Sequence, residues 1–288
     1  MKKFFIIIPI FNDWRSLNKL LKKINKNINN IQGSFTIIIV NDCSTLKTKL
    51  ALSSLNNISK IKIINLKQNI GSQRAIHIAL EYLKSKNRKS FISIMDSDGE
   101  DDPARLKDLI ELSVKNKKYI ILANRSKRKE NFFLLILNKI RLILTWIITG
   151  KYINFGNYSS FSSYNLKNIL KTRYTWLAYS GAISKNCKNS IKIDVEKKNR
   201  YFGLSKVNFH FLLSHAIKII CIFKTEVLIR TSILFFLIIL FFINEILIIY
   251  SSLVLLLSLN FFIIIFYKKN KLTFNSKKLI GNIKTLKN

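Results

Sequence analysis

Phe91-Ile92-Ser93-Ile94-Met95-Asp96-Ser97-Asp98-Gly99-Glu100-Asp101-Asp102-Pro103 decides the fold of this chain. The apolar run Phe91–Met95 is too short for a helix and reads as a buried strand that stops abruptly on carboxylates. Five of the 15 acidic residues fall between positions 96 and 102, in a chain with 49 Lys and Arg. Carboxylates at alternate positions offer hard oxygen ligands, which suit Mg²⁺ or Mn²⁺, and such an ion can bridge a diphosphate. Asp96, Asp98 and Glu100 are the candidate metal ligands. Asp101 and Asp102 also suit the start of a helix over Ala104–Leu112, with Pro103 in its first turn.

Outward from this segment the same pattern repeats. Phe4–Ile8, Phe35–Val40 and Ile61–Leu66 are apolar runs of strand length. Between them, Ser16–Ile28 carries Leu17, Leu20, Leu21 and Ile24 at helical spacing, and Ala75–Leu83 reads as another helix. Alternation of strands and helices predicts an α/β, doubly wound and mostly parallel sheet, with ligands at the carboxyl ends of its strands. Three predicted strand ends carry polar clusters: Asn12-Asp13, Asn41-Asp42 and Asp96-Ser97-Asp98. The amino-terminal apolar run is not a signal peptide, because Pro9, Asn12, Asp13 and Arg15 interrupt it without a small-residue cleavage site.

Composition narrows the class. The 288 residues carry a net charge of +34 yet are 49% hydrophobic, which excludes a disordered basic tail. A basic chain this rich in Ile, Leu and Phe points to anionic membrane surfaces at least as strongly as to nucleic acid. Nucleic acid is further disfavoured because clustered carboxylates repel phosphates unless a metal intervenes. Three well-separated cysteines fit a reducing compartment, and three scattered histidines make no metal site. Neither a Ser/His/Asp arrangement nor a phosphate-loop signature is present.

Thr231–Tyr267 is almost uninterrupted Ile, Leu, Phe, Val and Ser. As one helix it would extend about 55 Å against a hydrocarbon core of ~30 Å. Two spans are therefore expected, turning at Asn244-Glu245 or Ser251-Ser252. Lys224 and Arg230 precede the run, and seven Lys and no acid follow it. Both flanks then belong on the cytoplasmic side. Phe132–Ile148 and Lys206–Phe223 read as interfacial helices, apolar with interspersed basic residues. The expected organisation is a catalytic domain over 1–223, a membrane segment over 224–267 and a basic cytoplasmic tail over 268–288.

Pro9-Ile-Phe-Asn-Asp13, Val40-Asn-Asp-Cys-Ser44 and Asp96-x-Asp98, each following a strand, resemble glycosyltransferase family 2, whose nucleotide-sugar-binding fold is called GT-A. Asn69-Ile-Gly-Ser-Gln-Arg-Ala75, Asp98–Pro103, Asn124-Arg125 and Arg200-x-x-Gly203-x-Ser205-Lys206 make it similar to the dolichol-phosphate-mannose-synthase-like branch, over roughly Lys3 to Phe223. The resemblance implies a GT-A mixed sheet with a carboxy-terminal transmembrane hairpin. It implies transfer from a nucleotide-diphospho-sugar to a polyprenyl phosphate at the cytoplasmic membrane, with Mg²⁺ or Mn²⁺, and is compatible with a homo-oligomer. Pro9, Phe11 and Asp13 then line the nucleotide pocket, where relatives usually have Pro, Tyr and Glu. Asp42 accepts a hydrogen bond from the base. Asp98, with Asp96 beside it, binds metal, and Glu100 stands where many relatives have Gln.

Gly71 suits a close backbone approach to the donor, and Arg74 at a helix start can meet a phosphate. Arg125, Arg128, Arg200 and Lys206 form the expected clamp for the acceptor phosphate, because a guanidinium fork matches phosphate geometry. Asp96, Asp98 and Arg200 are the expected catalytic set. Two rival readings remain. One is a relative that glycosylates a sugar hydroxyl, with Asp194 or Glu196 as base. The other is a non-catalytic basic protein that binds membrane or nucleic acid.

Overall fold

Seven consecutive buried residues, Phe4–Ile10, put β1 (Lys3–Ile10) at the centre of the structure. A strand apolar on both faces needs cover on both. The computed structural model describes residues 1–47, 50–52, 55–84, 89–127, 132–203, 209–271 and 275–287. β1 pairs in parallel with β2 (Ser34–Asn41) on one side and β4 (Phe91–Ile94) on the other. β3 (Lys60–Leu66) extends the parallel set beyond β2. The α/β architecture read from the alternation is the observed one, and these four strands lie where the apolar runs put them.

Alternate β1 side chains face opposite ways. Phe4, Ile6, Ile8 and Ile10 join one core cluster with α1 (Trp14–Asn27) and α3 (Leu106–Lys115). Phe5 and Ile7 belong to the other face, where α2 (Ser72–Lys84) packs on β1 and β2. Each fully buried Ile or Leu contributes about 1.5–3 kcal/mol relative to exposure. This makes the central strands a rigid base for the loops at their carboxyl ends.

β5 (Ile120–Lys127) and β6 (Phe155–Ser162) are antiparallel to each other, β6 is antiparallel to β4, and β7 (Ser190–Glu196) is parallel to β5. β5 starts on the short buried run Ile120–Ala123, whereas β6 carries three serines among its eight residues and hydrogen bonds hold them inside. Ser93 Oγ donates to Ser160 Oγ at 3.0 Å, which donates to Ser113 Oγ at 3.1 Å, and the Ser159 and Tyr179 hydroxyls lie 2.8 Å apart. Short α5 (Leu166–Ile169) and α6 (Tyr179–Asn186) complete this half. The sheet is therefore mixed, in the order β7-β5-β6-β4-β1-β2-β3-β8.

β8 (Ile280–Lys287) corrects the expected tail. It pairs antiparallel with β3 at the sheet edge, and Asn65 Nδ2 donates to Asn282 Oδ1 at 2.6 Å. Lys-rich composition hid a strand whose stability comes from pairing with the β3 edge.

The chain divides into two compact units. The first comprises Met1–Lys129, Asn154–Lys206 and Leu272–Asn288, and holds the sheet. The second comprises Glu130–Ile153 and Val207–Lys271, so the two expected interfacial segments group with the apolar helices rather than with the sheet. It contains α4 (Phe132–Thr149), α7 (Phe209–Ile222), α8 (Lys224–Phe241) and α9 (Ile246–Asn270). The helices break between Phe241 and Ile246, at the first of the two candidate turns. Lys224 Nζ lies 4.2 Å from the Tyr267 ring centre, and Asn260 Nδ2 donates to Thr231 Oγ1 at 3.0 Å, pairing the start of α8 with the end of α9. Among the described residues, α9 alone is long and apolar enough to cross a membrane. Three charged residues near its start keep α8 from meeting the same standard.

His77 on α2 is structural, as its apolar helix suggests. Its Nδ1 lies 2.6 Å from Thr175 Oγ1 and its ring packs edge-on to Trp176. Burial, with repulsion from Arg173 and Lys84, pushes its pKa down to about 4. The unfolded chain binds the proton near pH ~6.5, so stability is full above that value and lost as pH falls towards the folded value. Between pH 7 and 5 the loss from this group is expected to be roughly 2 kcal/mol. Urea unfolding should show that His77→Gln removes about this much of the pH dependence.

Candidate active site

Four loops at the carboxyl ends of parallel strands converge, as the position of a ligand site in an open α/β sheet requires. After β1, Asn12 adopts a positive φ of 56° and its Oδ1 accepts the Thr45 and Leu46 N–H groups at 2.9 and 3.1 Å, tying that loop to the one after β2. After β2, the Asp42 carboxylate accepts the Ile70 and Gly71 N–H groups, both at 2.8 Å. Asp42 thus fastens the loop entering α2. Desolvation raises its pKa against the opposing pull of these amides and Arg74. Gly71 has φ +87° and no atom within 4 Å of where a Cβ would stand. A glycine suits this left-handed turn, and the space beside it is open. The Arg74 guanidinium lies 5.0 Å from the Trp176 ring centre.

The carboxylate turn after β4 is held by cations and amides from elsewhere. Arg200 bridges two strand ends: Nη1 donates to Asp98 Oδ2 and Nη2 to Asp13 Oδ2, each at 2.9 Å. Glu100 is engaged at 2.9 Å by the buried Lys197 ammonium, so this expected metal ligand already has a counter-ion. Arg125, expected in the acceptor clamp, points to Asp101 Oδ1 at 3.5 Å and packs on Gly156. Asp102 caps the turn at Pro103 by accepting the Ala104 N–H at 3.0 Å, whereas Asp101 turns inward and accepts the Asp96 N–H at 2.9 Å. Arg128 and Lys206, also expected in the acceptor clamp, lie outside the described residues. Pro9 is buried within β1, and Phe11 is partly exposed at its end.

Asp96 depends on two amides that sequence reading missed. Asn157 Nδ2 donates to Asp96 Oδ1 at 3.1 Å, Gln73 Nε2 donates to Asn157 Oδ1 at 3.0 Å, and Gln73 Oε1 accepts the Tyr179 N–H at 2.7 Å. Asn157 sits on the serine-rich strand, where no motif marks it.

Desolvation, then repulsion among neighbouring carboxylates, raises the pKa values of Asp96 and Asp98. Divalent charge would relieve that repulsion. Among the described residues no three His, Cys, Asp or Glu are arranged to hold a metal by themselves. Two carboxylates fit a Mg²⁺-like ion that takes its other ligands from water and a diphosphate. The residues present therefore fit a metal held jointly with a phosphorylated ligand, with Asp96 and Asp98 as its protein ligands.

The sequence pattern of glycosyl transferase family 2 matches residues 5–173, more than half of the chain. The chain belongs to glycosyl transferase family 2. It is 25% identical over 128 residues to the uncharacterized glycosyltransferase sll0501 of Synechocystis, covering 44% of this chain and 39% of that protein. It is 26% identical over 133 residues to the uncharacterized glycosyltransferase YkcC of Bacillus subtilis, covering 46% and 40%. The matches thus span well under half the length of these curated relatives. The fold resembles that of glucosyl-3-phosphoglycerate synthase from Mycobacterium tuberculosis, crystallised with Mn²⁺, UDP and glucosyl-3-phosphoglycerate. The TM-score is 0.52 at 9% identity, over 78% of this chain and 80% of that one.

A hydrogen bond to a charged group contributes about 1.5–3 kcal/mol. Asn157→Ala in this family 2 chain removes the amide N–H that Asp96 accepts and is expected to lower the stability of the fold by about 1.5–3 kcal/mol. Urea unfolding followed by circular dichroism checks it.

Proposed function

We propose that the chain is a membrane-anchored inverting glycosyltransferase that moves a sugar from a nucleotide-diphospho-sugar to a polyprenyl phosphate. The observation that carries this reading is the juxtaposition of Asp96 and Asp98 with Arg200, metal-ligating carboxylates beside a phosphate-matching guanidinium. Family membership and the likeness to a fold crystallised with UDP and Mn²⁺ support the donor and the ion.

In the proposed step an oxygen of the acceptor phosphate bonds to the anomeric carbon, opposite the leaving group. The bond from that carbon to the donor diphosphate breaks with its electron pair, and the nucleoside diphosphate departs. A phosphate monoester has a second pKa near ~6, so it is already an anionic nucleophile and needs no base. The rival hydroxyl acceptor needs one. Its two candidates are engaged: Asp194 Oδ1 accepts Asn124 Nδ2 at 2.6 Å, and Glu196 pairs with Lys198 at 2.8 Å. A bound Mg²⁺ or Mn²⁺ supplies Lewis-acid stabilisation of the leaving diphosphate. Asp96 and Asp98 hold that ion, Asn157 and Gln73 orient Asp96, and Pro9, Phe11, Asp13, Asp42 and Arg74 shape the donor pocket. Arg200 meets the acceptor.

Membrane anchoring is supported by apolar exposure within the second unit. Phe236 and Phe241 on α8 are 60% and 79% exposed, and Leu247 and Leu255 on α9 are 81% and 68% exposed. Apolar surface on this scale marks a membrane or partner surface rather than a solvated one. Chain topology supports two crossings. The chain leaves the sheet after β7 and rejoins it as β8, paired with β3. Segments joined in one sheet share one side of a bilayer, so crossings between them come in even number, which favours α8 crossing together with α9. Lys224 at the start of α8 and Lys268 and Lys269 at the end of α9 support a cytoplasmic location for that side.

Membranes carrying the chain, incubated with a panel of radiolabelled nucleotide-sugars, should yield label in the lipid extract, released as free sugar by mild acid. An acid-stable glycosidic product would instead assign a hydroxyl acceptor. Asp98→Asn and chelation should each remove most transfer, about 100-fold or more, without releasing the protein from membranes. Full activity in excess chelator would exclude the metal role. Tags at either terminus should be equally protected from protease outside intact cells, whereas a digestible carboxy-terminal tag would exclude the paired crossings.

A further inference from the structure

We propose that Arg200 is the resident counter-cation of the carboxylate turn. On this view it holds Asp98 and Asp13 until a divalent ion takes Asp98, and is thereby released to bind the acceptor phosphate. The idea rests on the metal-dependent transferase reading and adds to it the residue that neutralises the carboxylates before the ion arrives.

Both oxygens of Asp98 are engaged. Oδ1 accepts the Glu100 N–H at 3.0 Å and Oδ2 accepts Arg200 Nη1 at 2.9 Å. A divalent ion ligated by Asp98 at ~2.0–2.1 Å would stand within a few ångströms of the guanidinium on Oδ2, and two cations repel each other across so short a distance. The resting arrangement of Arg200 is also incomplete. It spends Nη1 and Nη2 on two different carboxylates, and its Nε–H is buried with no acceptor among the described residues. A phosphate takes a guanidinium as a bidentate fork, which would use the donor left idle.

The backbone around Arg200 is fixed, so the motion required is a swing of the side chain alone. Lys198 N donates to Glu100 O and Tyr201 N to Asp98 O, both at 2.9 Å. Gly99, with φ +87°, lies so close beneath the Tyr201 ring that a Cβ would stand 2.4 Å from it. Phe202 stacks under the Arg15 guanidinium at 3.9 Å, and Lys19 and Lys23 of α1 flank Tyr201. Among the described residues, Arg200 is the cation in direct ion pairing with a proposed metal ligand, since Lys197 and Arg125 pair with Glu100 and Asp101.

Binding measurements on the full chain in detergent test this without relying on turnover. Mn²⁺ alone, followed by electron paramagnetic resonance, should bind Arg200→Ala roughly three- to tenfold more tightly than the parent, because a competing cation is gone. Unchanged or weaker Mn²⁺ binding in a folded variant would overturn the proposal, and Arg200→Gln serves if the alanine variant does not fold. In the parent, inorganic phosphate should bind at least about tenfold more tightly with Mn²⁺ and UDP present than without them, and Arg200→Ala should abolish that gain. Equal phosphate affinity under both conditions would also overturn it. A parent that binds neither Mn²⁺ nor UDP would defeat the transferase reading itself. A parent that binds both, but whose Mn²⁺ and phosphate affinities ignore Arg200, defeats only the role given to that residue.

Discussion

Carboxylates crowded at the end of a buried strand repel one another and lose hydration, and the structure depends on how that cost is offset. Asp96, Asp98, Glu100, Asp101 and Asp102 follow β4 within a single turn. Their cationic partners come from far along the chain: Arg125 from β5, and Lys197, Lys198 and Arg200 from the segment after β7. Breaking a buried pair by removing one partner costs about 3–5 kcal/mol, whereas an exposed pair contributes ~0–1 kcal/mol. The pair of Arg200 and Asp98, with side chains 15% and 16% exposed, belongs near the first class, and Arg105 with Asp108, at 44% and 42%, belongs to the second. These ion pairs, with the Lys198 and Tyr201 backbone hydrogen bonds and the Tyr201 ring on Gly99, hold the segment after β7 to the turn after β4.

That constraint orders the rest of the site. Arg200 connects the ends of β1 and β4, which are neighbours in the sheet, so two loops are fixed by one side chain. The amide chain from Tyr179 through Gln73 and Asn157 reaches Asp96 from the opposite face. Asp96 is thus left with a neutral amide as its side-chain partner, while Asp98 holds the cation. This asymmetry gives the two carboxylates different tasks, one oriented in advance and the other guarded.

The edge strand β8 has a parallel effect on the apolar unit. Because the chain returns to the sheet after α9, the long apolar helices are tied at both ends to segments of the same unit. Asn41, Asn65 and Asn282 form a side-chain ladder across β2, β3 and β8, with Asn41 Nδ2 donating to Asn65 Oδ1 at 2.8 Å. Asn41 Oδ1 also accepts the Ser44 N–H at 3.0 Å. The carboxy-terminal strand is therefore linked to the loop that carries Asp42.

Local sequence determined the parallel core, because β1 to β4 are predominantly apolar segments of strand length whose burial needs no knowledge of partners. It determined the place of the site as well, since acids after Met95 and polar pairs after β1 and β2 sit where such sheets bind ligands. A break in the apolar stretch was legible as well, at either of two polar pairs, and the tertiary structure has it near Asn244 and Glu245. Tertiary structure alone decided β6, whose serines are buried by mutual hydrogen bonds that no periodicity reveals, and β8, whose lysines conceal an edge pairing. It also decided which cation faces which acid. Arg125, Lys197 and Arg200 are alike as basic residues in a Lys-rich sequence, and their different partners follow from the distances that folding sets. Charge type is a property of the residue; the choice of counter-ion depends on position in space.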